Sequence, residues 1–325
     1  MGLGLVPVVL IGLPEGKEAN DNARRVLDWL QEDQVPARII ETVPDLSAHT
    51  IADVRAAIGA QQIPIVSIQA ARGDSTDARF GLLTRLSTAL ETRKVVFLST
   101  SSGLERRGSP RIDVVNLNTD YDHLLTSSDL ARRHQIVLRR TKALLDAVPH
   151  RMTVTVVNPL HLLRELFTVS GAGTLVRKGS RIETHRQLAT LDQPKLEALI
   201  ESAFGRKLRA TGLAQPWERI YVEENYRGAA MLVNSPVGVY LSKFAVERQA
   251  QGEGIGGDIW NVMLRDYSRF FWRGRPDNPI DPWYNRKCDA MVRMQDWHVY
   301  SYGVDFPDLP GIIEYATTQP LDLEH

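Results

Sequence analysis

The chain has 325 residues, long enough for two domains of ordinary size, and 43% of them are apolar, enough to bury a core in each. Lysine plus arginine and aspartate plus glutamate balance at 39 each, so no net field draws the chain to nucleic acid or to an anionic membrane. One cysteine, Cys288, excludes an internal disulfide and any metal site built from cysteines alone, and no apolar run reaches the roughly eighteen residues of a membrane span.

No basic n-region and no Arg/Ser-rich presequence stands at the front, while the closing Leu323-Glu324-His325 has the look of an affinity-tag remnant. Residues 8–11 are a short apolar run. Ala23, Val26, Leu27 and Leu30 follow at i, i+3, i+4, i+7 spacing, which predicts a helix with one buried face. Residues 38–40 and 63–68 read as strands with a helix near 48–58 between them, and 95–98 as a fourth strand. Residues 153–157 extend the sheet after a helix around 130–145. This alternation predicts a parallel sheet covered on both faces. Asp192 before Pro194 marks a helix start and Gly205 its stop. Residues 209–216 read as a linker, which places a boundary near 210. Beyond it strands dominate, at 219–223, 229–233 and 237–246, and five of the six tryptophans lie there.

The last of those strands runs into Gln251-Gly252-Glu253-Gly254-Ile255-Gly256, and a helical pattern follows with Ile259, Trp260, Met263 and Tyr267 on one face. Glycines at such a turn let backbone N–H groups converge on a phosphate at a helix N-terminus. The dinucleotide form G-x-G-x-x-G fits glycines at 252, 254, 256 and 257 poorly. Q-x-x-G-x-G is instead the pattern of the acetyl-CoA pyrophosphate loop in the GNAT superfamily of N-acetyltransferases; a ligand-free glycine loop is the alternative on the motif alone.

Phe270-Phe-Trp-Arg273-Gly-Arg275 reads as a strand, on which residues two apart share a face. Two guanidinium groups side by side repel unless anions neutralise them, and they match carboxylates in bidentate geometry. A dicarboxylate such as glutamate meets that demand; salt bridges to neighbouring acids on a solvated strand would meet it too. The turn-rich Asn278-Pro-Ile-Asp-Pro-Trp-Tyr284 follows, with Tyr284 a candidate proton donor to a leaving thiolate.

Together, Tyr240-Leu-Ser-Lys-Phe244, the glycine loop, Trp272-Arg-Gly-Arg275, Asn278 to Tyr284 and Tyr302-Gly303 resemble the N-acetylglutamate synthases of the vertebrate and fungal type and the bifunctional bacterial synthase/kinases. Residues 97–104, 121–124, 165–168, 171–175 and 202–206 resemble the amino-acid kinase fold that precedes the acetyltransferase in that family. The resemblance implies an α/β chain with a truncated amino-acid kinase-like sandwich over residues 1–209 and a GNAT domain over 210–325. It implies acetyl transfer from acetyl-CoA to the α-amine of L-glutamate, with no metal.

In that scheme Gln251, Gly252, Gly254 and Gly256 cradle the pyrophosphate, while backbone groups of Phe244, Ala245 and Val246 hold the acetyl carbonyl and pantetheine arm. Arg273 and Arg275, with Lys243 or Lys207, hold the glutamate carboxylates. Asn278 orients the acetyl–thiol region and Tyr284 protonates the thiolate. The opening residues 4–12 resemble the second strand of the kinase fold, without the Lys-x-Gly-Gly strand that binds ATP, so kinase activity is not expected. The first domain is then expected to be structural or regulatory, to support a homo-oligomer, and to take L-arginine as effector near 165–168 and 171–174. A eukaryotic source implies the mitochondrial matrix and a bacterial one the cytoplasm. The competing reading is an arginine-sensing kinase-like module with an inactive acetyltransferase domain.

Overall fold

The fold was obtained as a computed structural model, which describes residues 6–13, 16–42, 48–69, 75–106, 108, 111–127, 130–168, 171–250 and 252–324. The chain divides into two compact units. One holds the described residues up to 117 and 121–178; the other holds 118–120 and the residues from 179 on.

In the first unit the elements are β1 (Val9–Ile11), α1 (Ala19–Glu32), β2 (Ala37–Thr42), α2 (Ala48–Gly59), β3 (Ile63–Ile68), α3 (Thr76–Ala89) and β4 (Lys94–Leu98), then β5 (Val114–Asn116), α4 (Leu117–Thr126), α5 (Arg132–Ala147), β6 (Thr153–Val157), α6 (Leu162–Phe167) and β7 (Thr174–Arg177). The alternation of strand and helix is as expected, but the strands do not form one sheet. β1, β3 and β2 make a parallel three-stranded sheet, with Val9 opposite Ile65 and Ile39 opposite the same residue from the other side. β4 pairs with β6 in a separate four-stranded sheet, order β4-β6-β7-β5, in which β6 and β7 run antiparallel. β3 is buried along most of its length, whereas Leu98 at the end of β4 is exposed. The expected continuous parallel sheet is therefore split, and no ladder among the described residues joins β3 to β4.

The second unit contains β8 (Ile182–His185), α7 (Gln193–Phe204), β9 (Arg219–Glu223), β10 (Gly228–Ser235), β11 (Gly238–Val246), α8 (Ile255–Asp266), β12 (Phe270–Gly274), α9 (Asp281–Asn285), β13 (Ala290–Arg293), β14 (His298–Tyr302) and α10 (Leu309–Thr318). Its seven strands are ordered β13-β14-β12-β11-β10-β9-β8, antiparallel except where β11 meets β12. Both faces are covered. Ile220, Val222, Met231 and Val233 pack against Leu196, Leu199 and Ile200 of α7 and Ile312 and Ala316 of α10. Tyr221, Ala230 and Leu232 meet Ile259, Trp260 and Met263 of α8 on the other side.

The boundary expected near 210 thus falls at 179. β8 forms the edge of this sheet, with Ile182 opposite Glu223 and His185 opposite Ile220, and α7 supplies three fully or nearly buried side chains to its core. A chain broken at 210 would expose that apolar face to water. The end signals of α7 hold: Asp192 accepts from the Lys195 N–H at 3.2 Å, and Gly205 closes the helix at φ +66°.

Candidate active site

Parallel strands β11 and β12 share one registered pair, Tyr240 opposite Phe271. β11 continues to Val246 and β12 to Gly274, and between these continuations opens a cavity of about 930 Å³. A bulge on β11 adds Ser242 between Leu241, which faces Leu232, and Lys243, which faces Met231. The extra residue bends the strand where the opening begins. Beyond the bulge, the edge of β11 turned away from β10 carries N–H and C=O groups that β12 does not pair, and a ligand with amides of its own can satisfy them.

At one end of the cavity the glycine loop leads into α8. Gly252 and Gly254 stand at φ +96° and +86°, conformations that L side chains rarely adopt. Gly254 caps the twelve-residue helix without a side-chain acceptor, so among the described residues no side chain caps the first N–H groups of α8. A Cβ on Gly252 or Gly257 would meet nothing within 4 Å; one on Gly228 of β10 would strike Ile255 and Ile259 at 2.7 and 2.8 Å. The loop is thereby seated close on the sheet while its outward side stays open. Arg206 and Arg248, which sequence reading missed, line the same cavity. A helix N-terminus opening on a cavity that two further guanidinium groups line is a seat for a polyanion. Gly252, Gly254, Gly256, Phe244 and Val246 are all lining residues; Ala245 points the opposite way into the core, and Gln251 lies outside the described residues.

Aromatic rings form the floor. Phe244 stacks on Trp283 at 5.2 Å between centroids, and the Tyr284 ring lies 5.3 Å from Tyr300 and 5.6 Å from Trp272. Burial pushes the Tyr284 phenol well above its ordinary range, and its hydroxyl has no hydrogen-bonding partner among the described residues. α9, which carries it, is anchored by Asp281, whose carboxylate accepts from the Tyr300 hydroxyl and lies 2.8 Å from His298 Nδ1. Those two contacts hold the Asp281 carboxyl below the usual carboxylate range. Asn278 Oδ1 accepts from the Ile280 N–H at 3.2 Å, which fixes the turn before α9.

The far wall is cationic. Arg273 and Arg275 both line the cavity, their guanidinium carbons 3.9 and 4.0 Å from the centroid of Trp297, another residue that sequence reading did not single out. Their commitments differ. Arg273 donates to the carbonyls of Ala316, Gln319 and Pro320 at 2.7 to 3.0 Å, whereas Arg275 has one longer bond, 3.3 Å, to the Asp296 carbonyl. Lys243 also lines the cavity, but its ammonium is taken up by the Asp322 carboxylate and lies 5.5 Å from the Trp217 ring. Burial lowers its pKa, against the opposing pull of Asp322.

Lys207 does not line the cavity. Its side chain is 73% exposed and pairs with Glu201 at 2.6 Å, because its backbone is bridged to the C-terminal segment through the Glu324 N–H. In the first unit, where an arginine site is expected, the Glu165 carboxylate is engaged by its own neighbours. The buried Glu165 carboxylate accepts from Lys94 at 3.0 Å, Thr155 at 3.1 Å and the N–H groups of Ala172 and Gly173. Among the described residues no group of three His, Cys, Asp or Glu side chains could hold a metal ion, and no helix is long and apolar enough to cross a membrane.

A seven-stranded sheet splayed at a parallel pair, with a glycine-capped helix at the splay, defines an acetyltransferase fold of the GNAT class. The NAT family, the N-acetyltransferase of N-acetylglutamate synthase, matches residues 183–319. A Xanthomonas campestris acetylglutamate kinase is 34% identical over 290 residues, covering 86% of this chain and 68% of its own. Mouse mitochondrial N-acetylglutamate synthase is 34% identical over 242 residues, covering 72% of this chain and 46% of its own, so the present chain spans less than half of that relative. A Neisseria gonorrhoeae N-acetylglutamate synthase structure, complexed with coenzyme A and N-acetyl-glutamate, aligns over 87% of this chain and 78% of its own at a TM-score of 0.48 and 16% identity. The chain belongs to the N-acetylglutamate synthase/kinase family, in which a kinase-like unit precedes a NAT unit.

Proposed function

We propose that the chain transfers the acetyl group of acetyl-CoA to the α-amine of L-glutamate. One observation carries this reading: a single cavity holds a glycine-lined helix N-terminus and the Tyr284 hydroxyl, neither engaged by a side chain of a described residue, together with the guanidinium groups of Arg273 and Arg275. The first suits a pyrophosphate and the last a dicarboxylate. Membership of the family gives the same substrates.

The chemistry requires the α-ammonium to lose a proton to water and the amine to attack the thioester carbonyl, forming a C–N bond. The C–S bond then breaks with release of a thiolate as the amide nitrogen gives up its second proton to water. Holding both reactants in one cleft supplies much of the rate. Phe244 to Val246 offer backbone groups to the acetyl carbonyl and pantetheine amides, and Asn278 steadies the turn beside them. Tyr284 faces a decision set by acidity. A thiol ionises near about 8.5, while the buried phenol sits well above its usual value of about 10. Tyr284 therefore stays protonated and stabilises the developing thiolate by donating a hydrogen bond to the sulfur.

Arg275 is the better placed guanidinium for a substrate carboxylate, since Arg273 is engaged by three carbonyls. The first unit, on this proposal, is regulatory and takes L-arginine as effector, supporting a homo-oligomer; Glu165 does not serve there, its carboxylate being filled by donors of its own unit. The compartment follows the source, mitochondrial matrix in a eukaryote and cytoplasm in a bacterium. A thiol-release assay with acetyl-CoA and a panel of amino acids, with and without arginine, tests the reading: release with glutamate supports it, and release only with other amines, or none, refutes it.

A further inference from the structure

The cavity contains a negative charge that the two carboxylates of the substrate do not explain. Its charged lining is mostly cationic, and the carboxylates among the described lining residues are Asp277, which is exposed, and Asp322, whose side chain is 31% exposed. Asp322 is fixed from several directions. Its Oδ2 takes the buried Lys243 ammonium, its carbonyl accepts from the Arg209 N–H at 2.9 Å, and Arg273 grips the carbonyls of Gln319 and Pro320 just before it. Its Oδ1 accepts no hydrogen bond from a described residue. A preorganised carboxylate oxygen, open in a cationic cavity, fits an N–H donor that carries positive charge.

We propose that Asp322 holds the α-amino group of the acceptor amino acid, an inference that rests on the functional reading above. Lys243 then serves to hold and orient Asp322, its own charge being cancelled by the pair. The electrostatics give a sign. A purely cationic cavity would favour glutarate, with two carboxylates and no amine, over glutamate, whose ammonium it would repel. With Asp322 in place the order reverses, and the cavity selects the ammonium-bearing acceptor, which becomes the nucleophile once that group has lost a proton to water.

The test compares binding of L-glutamate and glutarate by titration calorimetry on the full chain in the presence of coenzyme A, alongside thiol release. In the wild type glutarate should bind at least about tenfold more weakly. In Asp322→Asn, glutamate should weaken by roughly tenfold to a hundredfold while glutarate is unchanged or tighter. Asp322→Asn leaves a buried ammonium unpaired and can destabilise the fold. The double variant Lys243→Gln, Asp322→Asn removes both charges, and coenzyme A binding reports an intact cleft. In that variant the glutamate-to-glutarate ratio, rather than either affinity, carries the answer, and it should collapse. A ratio unchanged from the wild type in both variants, while the wild type turns over glutamate, overturns the role of Asp322 alone. No thiol release by the wild type overturns the functional reading and this inference with it.

Discussion

Arg273 Nη1 donates to the carbonyl of Ala316 at 2.7 Å, which ties the end of β12 to the last turn of α10. With its bonds to Gln319 and Pro320 it satisfies carbonyls that a helix end leaves open. Arg273→Ala should therefore lower stability by about 1–3 kcal/mol as well as raise the KM for glutamate. Arg275→Ala, which loses one 3.3 Å bond and its stacking on Trp297, should cost less stability than Arg273→Ala and raise the glutamate KM by an amount worth roughly 2–3 kcal/mol. Calorimetry and kinetics on both variants decide the point; equal stability loss in the two would contradict the division of labour.

Tyr284→Phe removes a hydroxyl that no described residue engages and keeps the ring against Trp272 and Tyr300. The fold should melt as before while kcat falls by roughly 10²–10⁴. A variant with full kcat would remove Tyr284 from thiolate stabilisation.

Gly254 sits at φ +86° directly before α8. Gly254→Val forces a β-branched residue into that conformation at a cost of about 1–3 kcal/mol and sets methyl groups beside the open N–H groups. The KM for acetyl-CoA should rise at least about tenfold, with the glutamate KM less affected. The reverse pattern in initial-rate kinetics would separate this loop from the cofactor.

Glu165 gives the first unit a pH dependence. Burial opposes its ionisation, but the Ala172 N–H, Lys94 and the Gly173 N–H outweigh burial and lower its pKa below the ordinary 4.5. The stability it contributes is complete above that value and is lost as pH falls through the lower folded value. Glu165→Gln should melt earlier than wild type at neutral pH, and the gap should close on acidification below about pH 4.5. A gap that stays constant down to about pH 3 would show that the ionised form is not what stabilises the fold.

The parts of the site that were legible in sequence are those encoded within one short segment. Glycines between a strand and a helix announce Gly254, and alternation along one strand puts Arg273 beside Arg275. Residues that enter from elsewhere left no such mark. Trp297 reaches Arg275 because β12 and β14 run antiparallel with Gly274 opposite His298. Asp322 reaches Lys243 across 79 positions of chain, through the bridge of the C-terminal segment to residues 208–209. Lys207 was misplaced because the same bridge spends its backbone and turns its ammonium to Glu201. The boundary was misread because α7 has the same apolar spacing whichever unit it covers, and β8 is only four residues long. In the first unit the strand-helix alternation was correct, yet alternation alone cannot tell one sheet from two.

A crystal structure of the protein with coenzyme A tests the central claim most directly. The pyrophosphate should lie within about 3 Å of the N–H groups at the start of α8, with the thiol end directed along β11 toward Tyr284 and the guanidinium groups of Arg273 and Arg275 facing the remaining space. Coenzyme A bound outside the splay of β11 and β12, or those two side chains turned out to solvent, would contradict it.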